Sequence, residues 1–260
     1  MSKESEEKGY GAQFTVRPKF TADSVLPLSE LSDPPIVKTQ KIICIGASTG
    51  GTRALNALLP QFPVDCPPIA IVLHMPEGFT NDFASRLSAK SKIKVQEARD
   101  GDKLERGLAL IAPGNKHIIL RRANDSYYVE LNDGELVCRQ RPSADVLFRS
   151  AARFAGPNAI GIIMTGMGDD GARGMLEMHE RGAWTIAQNE ETCAVYGMPK
   201  QAVALGGVDK ILPLEQIALA ARQKPTSKTY KNADIAWRVP ATKKSLRCPP
   251  SSACGLMQYR

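Results

Sequence analysis

Long apolar runs are missing from this sequence, and their absence excludes a membrane-spanning role. The longest runs, at Ile69–Leu73 and Ile160–Met164, have the length of strands, whereas a helix that crosses a bilayer needs about 20 apolar residues. The first ten residues are polar and carry charges of both signs, so they do not resemble a secretory signal. We therefore expect a cytoplasmic protein without membrane insertion.

Paired cysteines and grouped histidines are also missing. The chain has six cysteines and three histidines, but no two cysteines have the CxxC spacing of zinc and redox sites. Of the histidines, His117 falls in a strand pattern and His179 in a helix pattern, and neither has metal-ligand spacing with His74. We expect no disulfide framework, no metal site and no cofactor.

Charge is nearly balanced over most of the chain, although the whole chain has a net charge of +7. Residues 1–40 carry five basic and six acidic side chains, and residues 41–223 carry 21 and 20. Residues 224–260 carry eight basic side chains and one acidic one. The excess therefore lies in the C-terminal tail, so we expect no nucleic-acid binding by the central part. An acidic partner is the kind of surface that such a tail would contact.

The patterns divide the chain into three segments. Residues 1–40 mix Pro, Ser and Glu without a strand or helix period, which is typical of an extension or linker. Residues 41–223 have the alternating patterns of a folded domain. Residues 224–260 contain Pro-Pro and Ser-Ser among spread Lys and Arg, which predicts a disordered tail.

Strand-sized apolar runs alternate with helical patterns across the central segment, which predicts an α/β fold with a mostly parallel sheet. Strands are expected at 41–46, 69–74, 108–113, 116–121, 127–131, 159–166 and 184–188. Helices are expected at 52–59, 79–88, from 143, at 172–181, after 199, and from 213 to about 223. Turn residues at 124–126 predict an antiparallel hairpin within a mixed sheet.

Polar turns follow three of the predicted strands. They read GASTGG at 46–51, HMP at 74–76 and TGMGDDG at 165–171. The carboxyl ends of parallel strands lie at one edge of a sheet, where α/β proteins bind ligands. We therefore expect Ser48, His74 and one of the two aspartates to converge at this edge.

Each turn also has a purely structural interpretation. A glycine-rich turn with a serine is often a tight turn or a phosphate cradle, although residues 46–51 lack the GxGxxG spacing of dinucleotide sites. Histidines at strand ends are often structural, and aspartates before a helix are often caps. The combination favours chemistry, because a serine needs an imidazole to accept its proton and the imidazole needs a carboxylate to orient it. Backbone N–H groups of either glycine-rich turn are suitable oxyanion donors.

The sequence resembles the catalytic domain of the bacterial chemotaxis protein-glutamate methylesterases, from about Lys41 to Arg222. The matching motifs are IGASTGG, VLHMPEGFTNDFASRL, IAPGNKHIIL, RPSADVLFRSAA, MTGMGDDGARGM and AQNEETCAVYGMP. The resemblance implies a doubly wound α/β domain with helices on both faces of the sheet. It also implies a serine hydrolase that demethylates glutamate γ-methyl esters, and deamidates glutamines, on the cytoplasmic helices of methylated chemoreceptors.

The family motifs imply roles for particular residues. By resemblance, Ser48 is the nucleophile, His74 is the general base and Asp170 orients it. The backbone N–H of Met167 is the implied oxyanion donor. Spacing alone allows either Asp169 or Asp170 to face the histidine; the motif assigns Asp170 and leaves Asp169 as an exposed cap.

Two departures from the family pattern are visible. Asn189 stands where the family commonly has aspartate, without a change in loop length. Typical members also carry an N-terminal receiver domain, and such a domain needs about 100 residues to build a core. Only 40 residues precede the first predicted strand, so we expect no receiver domain in this chain and activity that does not depend on phosphoryl donors.

Two other functions stay open from the sequence. A nucleotide-binding module would use the turn at 46–51, and ATP or NAD would then raise the melting temperature. A non-catalytic adaptor would keep the fold and bind receptors or an acidic partner. A serine-directed phosphonate would then fail to label Ser48.

Overall fold

The computed structural model describes residues 19–27 and 39–223 of the chain. The predicted basic tail at 224–260 lies outside the described residues, as does most of the predicted N-terminal extension. None of the helices within the described ranges is long and apolar enough to cross a bilayer.

Strands and helices alternate along the domain in the predicted order. The first half contains β1 (Ile42–Ala47), α1 (Gly51–Leu58), β2 (Ile69–Leu73), α2 (Thr80–Lys90), β3 (Lys94–Glu97), β4 (Lys103–Leu104), β5 (Leu108–Ile111), β6 (His117–Ala123) and β7 (Ser126–Asn132). The second half contains α3 (Ala144–Phe154), β8 (Ala159–Ile163), α4 (Ala172–Glu180), β9 (Trp184–Gln188), α5 (Met198–Ala204), β10 (Lys210–Leu212) and α6 (Leu214–Arg222). Each predicted strand and helix is present, with ends that differ by a few residues.

Seven strands form one parallel sheet in the order β10-β9-β8-β1-β2-β5-β3. The chain moves outward from β1 through β2 on one side and later from β8 on the other side, so the winding reverses between β1 and β8. Such a reversal opens a crevice at the carboxyl ends of the strands, where α/β domains bind ligands. The expected doubly wound fold is confirmed.

Helices cover both faces of this sheet, because its central strands bury apolar side chains on alternating sides. In β1, Ile43 and Ile45 belong to one buried cluster with residues of α1, α2 and α6. Ile42 and Cys44 belong to a second cluster with residues of α3, α4 and α5. Strands that are buried on both faces are apolar throughout, which leaves the loops at the strand ends to carry the polar functional groups.

The predicted hairpin is present, but it does not join the parallel sheet. β6 and β7 pair antiparallel and, together with β4, form a separate three-stranded sheet in the order β4-β7-β6. Ile118, Leu120 and Val129 of this sheet lie in the same buried cluster as Leu147 of α3. The expectation of one mixed sheet is wrong, because a period of two identifies a strand without specifying which sheet it joins.

Strands β3 and β10 have little sequence signal. Both lie at the edges of the parallel sheet, and both contain exposed or half-buried side chains, such as those of Lys94 and Lys210. An edge strand needs only one partner and often carries charged residues. The apolar pattern that reveals central strands is therefore absent at the edges.

Part of the predicted extension packs against the domain. Ala22–Ser24 form a short 3₁₀ helix in which Ala22 is buried. Asp23 Oδ1 accepts a hydrogen bond of 2.7 Å from Arg149 of α3, and the same guanidinium donates to Glu177 of α4 at 2.6 Å. Ion pairs and a few apolar and backbone contacts hold this segment, and such contacts leave no periodic pattern in the sequence that would predict it.

Candidate active site

The three polar turns meet at the carboxyl edge of the sheet, on both sides of the reversal in winding. Ser48 follows β1, His74 follows β2, and Asp170 lies in the loop between β8 and α4. Because β1 pairs with both β2 and β8, the three turns start from adjacent strands. The backbone topology therefore brings these residues into one region.

Glycines make the turn that carries Ser48. Gly50 has a φ of +85°, a left-handed conformation that glycine adopts without steric cost. Gly51 packs so closely that an added Cβ would lie 2.6 Å from Leu73 Cδ1. The Ser48 N–H donates to the Thr165 carbonyl at 3.0 Å, which ties the turn to the end of β8. The Ser48 hydroxyl has no hydrogen-bond partner among the described residues.

His74 and Asp170 are directly hydrogen bonded. The His74 backbone N–H donates to the Ala47 carbonyl at 3.1 Å, which places the histidine beside the β1 turn. The ring Nε2 lies 2.8 Å from Asp170 Oδ2. A carboxylate only accepts, so Nε2 carries the proton and Nδ1 has the free lone pair of the neutral ring. Nδ1 is buried and has no partner within residues 19–27 and 39–223.

The start of α3 surrounds the Asp170 carboxylate, whose residue is 3% exposed. Oδ1 accepts hydrogen bonds from the Ser143 hydroxyl at 2.6 Å and the Asp145 N–H at 3.2 Å, and Oδ2 accepts from the Ala144 N–H at 2.7 Å. A helix N-terminus offers unpaired N–H groups and the positive end of the helix dipole. Helix α3 therefore stabilises the negative charge of Asp170 beside His74.

A second carboxyl group lies next to Asp170. Asp145 Oδ1 accepts from the Gly174 N–H at 2.8 Å, and its Oδ2 lies 3.3 Å from Cys138 Sγ. Burial, followed by the charge of Asp170, raises the pKa of Asp145 to about 7. Burial also raises the pKa of the Cys138 thiol, which keeps its proton and donates it to Asp145. Asp145 therefore binds its proton more tightly than an exposed aspartate does.

Asp169 and Asp170 have different environments, although their positions in the sequence allow either one to face His74. Asp169 is 47% exposed at its side chain and forms an ion pair with Lys19 of the N-terminal segment. Asp170 is the aspartate that contacts His74. The environment of Asp169 is thus that of an exposed surface group, as the family motif implies.

The loop after β8 passes directly against Ser48. A Cβ added to Gly166 would lie 2.7 Å from Ser48 Cβ and 2.3 Å from Met198 Sδ, so a larger residue does not fit. The Gly166 N–H donates to the Val195 carbonyl at 3.0 Å. The next residue, Met167, exposes 71% of its surface, and its N–H has no acceptor among the described residues. An available backbone donor therefore lies one residue from the contact with Ser48.

Side-chain hydrogen bonds fix the loops around this donor. The Thr165 N–H donates to Gln188 Oε1 at 2.9 Å, and its hydroxyl donates to the Thr49 carbonyl at 2.9 Å. Asn189 Oδ1 accepts from the N–H and the hydroxyl of Thr192 at 3.3 and 2.6 Å. An aspartate at position 189 would accept the same two bonds, so the departure from the family pattern preserves the turn.

The sequence does not predict that residues at the start of α3 belong to the site. Ser143 and Asp145 match the usual start of a helix, yet both bond to an aspartate that is 25 to 27 residues away in the chain. Their available signal is the presence of a serine and an aspartate in the mainly apolar motif RPSADVLF. That signal marks them as unusual without indicating their partner.

The fold and this geometry define a class of protein: doubly wound α/β domains with a serine, a histidine and an aspartate at the switch point of a parallel sheet. The sequence profile described as CheB methylesterase matches residues 43–220, which is more than half of the chain. The chain therefore belongs to the CheB methylesterase family.

Individual relatives agree with this assignment. A protein-glutamate methylesterase/protein-glutamine glutaminase from Oleidesulfovibrio alaskensis is 60% identical over 208 residues, which are 80% of this chain and 58% of that protein. One from Chromobacterium violaceum is 57% identical over 210 residues, 81% of this chain and 59% of that protein. The chain thus spans less than two thirds of the length of these relatives.

A solved structure shows the same fold. The crystal structure of the Thermotoga maritima CheB methylesterase catalytic domain matches with a TM-score of 0.70 at 37% identity. The match covers 72% of this chain and 99% of that domain. The described domain therefore corresponds to the full extent of that catalytic domain.

Proposed function

We propose that residues 41–223 form a serine hydrolase domain that removes methyl groups from glutamate γ-methyl esters on the cytoplasmic helices of chemoreceptors. The same site would deamidate glutamines there. Ser48 is the nucleophile, His74 the general base and Asp170 the residue that orients it. The observation that carries the proposal is the 2.8 Å hydrogen bond between His74 and Asp170, which leaves the buried Nδ1 of His74 without a partner among the described residues. The bond from the His74 N–H to the Ala47 carbonyl places this histidine beside the Ser48 turn.

In the first step, Ser48 Oγ attacks the ester carbonyl carbon and its proton passes to His74 Nδ1. The products are a tetrahedral oxyanion bonded to Ser48 and an imidazolium on His74. Asp170 stabilises the imidazolium through the Nε2–H bond. In the chymotrypsin arrangement Nε2 faces the serine and Nδ1 the carboxylate; here the carboxylate occupies Nε2, so Nδ1 is the base.

The Met167 N–H is the proposed donor to the oxyanion. It has no acceptor among the described residues. The preceding Gly166 lies directly against Ser48, and backbone bonds between Gly166 and residues 195–198 fix this loop. A donor that is already in place stabilises the developing charge without reorganisation during the reaction.

Methanol leaves when His74 returns its proton to the methoxy oxygen and the carbon–oxygen bond breaks, which gives an acyl-enzyme on Ser48. Water then attacks the acyl carbon, its proton passes to Nδ1, and Ser48 departs with that proton. The balance is ester and water to glutamate carboxylate, methanol and a proton. Ammonia replaces methanol when glutamine is the substrate. Ser48, His74 and water account for every proton, so the scheme needs no cofactor.

An exposed site suits a side chain that is presented on a helix. Ser48 is partly exposed, and Met167 and Phe79 expose large apolar side chains in the loops that follow β8 and β2. Small-molecule sites usually enclose most of their ligand. A side chain on a packed helix cannot be enclosed in this way, because the rest of the helix would not fit into the pocket. A flexible glutamyl ester can reach an exposed serine without unwinding of its helix.

Methanol release from methylated receptors tests the proposal. We expect release with the wild type and none above background with Ser48→Ala. A wild type that is no faster than Ser48→Ala, but that still binds receptors, would support the adaptor function. A rise in melting temperature with ATP or NAD would support the nucleotide-binding module.

We further propose that the basic segment 224–260 contacts an acidic partner in the cytoplasm, where the substrate helices lie. Its eight basic side chains and one acidic one support this, because such a segment is attracted to negative surfaces over a Debye length of about 10 Å at 0.1 M salt. Receptor binding by the full chain should weaken as salt is raised. A chain that ends at residue 223 should show little salt dependence, and equal dependence would contradict the proposal.

A further inference from the structure

We propose that Ser143 and His117 are positioning residues that hold the Asp170 carboxylate in the orientation that His74 requires. This inference rests on the proposed function, because it assigns the two residues to the same hydrolytic site. Neither residue contacts the reacting atoms, and both act through Asp170.

Ser143 does not cap α3 in the usual way. A serine at the N-cap normally accepts a hydrogen bond from an N–H group in the first turn, but the Ser143 side chain makes no such bond. Its hydroxyl lies 2.6 Å from Asp170 Oδ1 instead. Because a carboxylate only accepts, the hydroxyl must donate. Ser143 is fully buried, so removal of its hydroxyl leaves a buried acceptor with one donor fewer.

Asp170 takes over the capping of the helix. Its two oxygens accept from the N–H groups of Ala144 and Asp145, the first two residues of α3. Donors hold both oxygens, so rotation of the carboxylate would break hydrogen bonds on both sides. Apart from His74, Ser143 is the one side chain within the described ranges that donates to this carboxylate. Without it, Oδ1 keeps only the 3.2 Å contact with the Asp145 N–H.

His117 fixes the main chain of Ser143. It is fully buried at the start of β6, and its Nε2 donates to the Glu135 carbonyl at 2.8 Å. Nδ1 therefore has a free lone pair and accepts from the Ser143 N–H at 3.2 Å. Burial lowers the pKa of His117, so its ring stays neutral and keeps that lone pair. Hydrogen bonds thus run from β6 through Ser143 to Asp170 and His74.

Ser150 provides a matched control in the same helix. It is also fully buried, and its hydroxyl donates to the Leu147 carbonyl at 2.7 Å and accepts from the Leu120 N–H at 2.9 Å. These partners are backbone groups outside the site. Replacing either serine with alanine removes one buried, hydrogen-bonded oxygen, so the two variants should lose similar stability.

The experiment measures kcat and KM for methanol release, together with thermal unfolding, for Ser143→Ala, Ser143→Thr and Ser150→Ala in the full chain. We expect Ser143→Ala to lower kcat about 10- to 100-fold with little change in KM, because a displacement near 1 Å in a catalytic group costs up to about 10²-fold. Ser150→Ala should lose similar stability but keep a kcat close to that of the wild type. Ser143→Thr keeps the hydroxyl at a position that suits threonine and should recover most of the loss.

The outcomes separate this inference from the proposed function. Equal kcat values for Ser143→Ala and Ser150→Ala would overturn the inference and leave the proposed function intact, as would a folded Ser143→Thr that is as slow as Ser143→Ala. A wild type that is no faster than Ser48→Ala would overturn both. If threonine prevents folding, Ser143→Cys has a weak S–H donor of similar size and should fall between Ser143→Ala and the wild type; a rate equal to that of alanine would count against the inference.

A second pair of variants tests His117. The side-chain oxygen of His117→Asn can accept from the Ser143 N–H, whereas His117→Leu has no acceptor. We expect kcat to fall further with leucine than with asparagine. Equal kcat values at equal stability would overturn the role of His117.

Discussion

The site has two halves: the histidine–aspartate half contains His74 and Asp170, and the serine–oxyanion half contains Ser48 and the Met167 N–H. The halves differ in how many hydrogen-bond partners their polar groups have. Asp170 is buried and accepts four hydrogen bonds, three of them from the start of α3. The Ser48 hydroxyl and the Met167 N–H have no partner among the described residues. One half is therefore complete before a substrate arrives, while the other half offers the groups that a substrate would occupy.

The two halves are also built from different elements. A helix N-terminus supplies fixed donors to Asp170, and these donors neutralise a charge that would be costly to bury alone. Glycine-rich turns carry Ser48 and Met167, because these turns must approach each other closely. Substitutions in the two halves should thus have different consequences for activity and stability.

The largest effect is expected where the two halves meet. Ser48→Ala and His74→Ala should each lower kcat by on the order of 10⁴-fold or more, and the double variant should be little worse, because nucleophile and base act as a unit. The measurement is methanol release by each single variant and by the double variant. Losses that multiply in the double variant would show that the two residues act independently.

A change in the histidine–aspartate half should be nearly as damaging to kcat. Asp170→Asn should lower kcat by on the order of 10⁴-fold, as the same change does in a serine protease, because an amide does not orient or stabilise the imidazole as a carboxylate does. Asp169→Asn is the matched control, since it removes a charge from an exposed ion pair with Lys19 that contributes little. Steady-state assays of both variants check this, and a damaging Asp169→Asn beside a harmless Asp170→Asn would reverse the assignment.

A change in the serine–oxyanion half should act by crowding the Ser48 turn. Gly166→Ala would place a Cβ 2.7 Å from Ser48 Cβ, and the resulting displacement of the loop should cost about 10²-fold in kcat. Gly161→Ala is the control, because its Cβ would meet Met175 Sδ at 2.9 Å and Met178 Sδ at 3.0 Å, which belong to flexible side chains away from the site. Assays together with thermal unfolding separate the two effects, and equal losses of kcat would argue against close packing of the loop on Ser48.

The smallest effect concerns pH and stability. The pKa of Asp145 is raised to about 7 by burial and by Asp170, above about 3.9 in an unfolded chain. Between these values the folded state holds a proton that the unfolded state has lost, so this group contributes less stability as pH rises from about 4 to about 7. Asp145→Asn removes this titration, and its stability relative to the wild type should improve by about 1–3 kcal/mol between pH 5 and pH 8.

Urea unfolding of both proteins at the two pH values measures this difference. Asp169→Asn again serves as the control, because it makes the same chemical change at a side chain that is 47% exposed. A relative stability of Asp145→Asn that stays constant or falls with pH would contradict the account of the two carboxyl groups.

Sequence reasoning finds the three candidate site residues because they follow central strands. The runs before Ser48, His74 and Asp170 are strongly apolar, so their strand ends are recognisable and parallel pairing brings them together. The chemistry of the three side chains is complementary, which makes their convergence informative. Their roles as nucleophile, base and orienting group remain predictions that the variants above test.

Sequence reasoning fails where contacts depend on packing between distant elements. Ser143 looks like an ordinary helix cap, and His117 looks like a strand residue, because neither pattern encodes a bond to another element. The independent three-stranded sheet and the ion pair between Asp23 and Arg149 have the same origin. Local periodicity predicts elements, whereas their partners follow from the assembled fold.

The most direct test of the central claim is covalent labelling of the full chain with a serine-directed phosphonate, followed by intact mass and peptide mapping. The account predicts one phosphonyl group per chain, attached to Ser48, with no label in Ser48→Ala and much slower labelling in His74→Ala and Asp170→Asn. Labelling of another residue, or a rate that is unchanged in His74→Ala, would contradict the claim that Ser48 is activated by the His74–Asp170 pair.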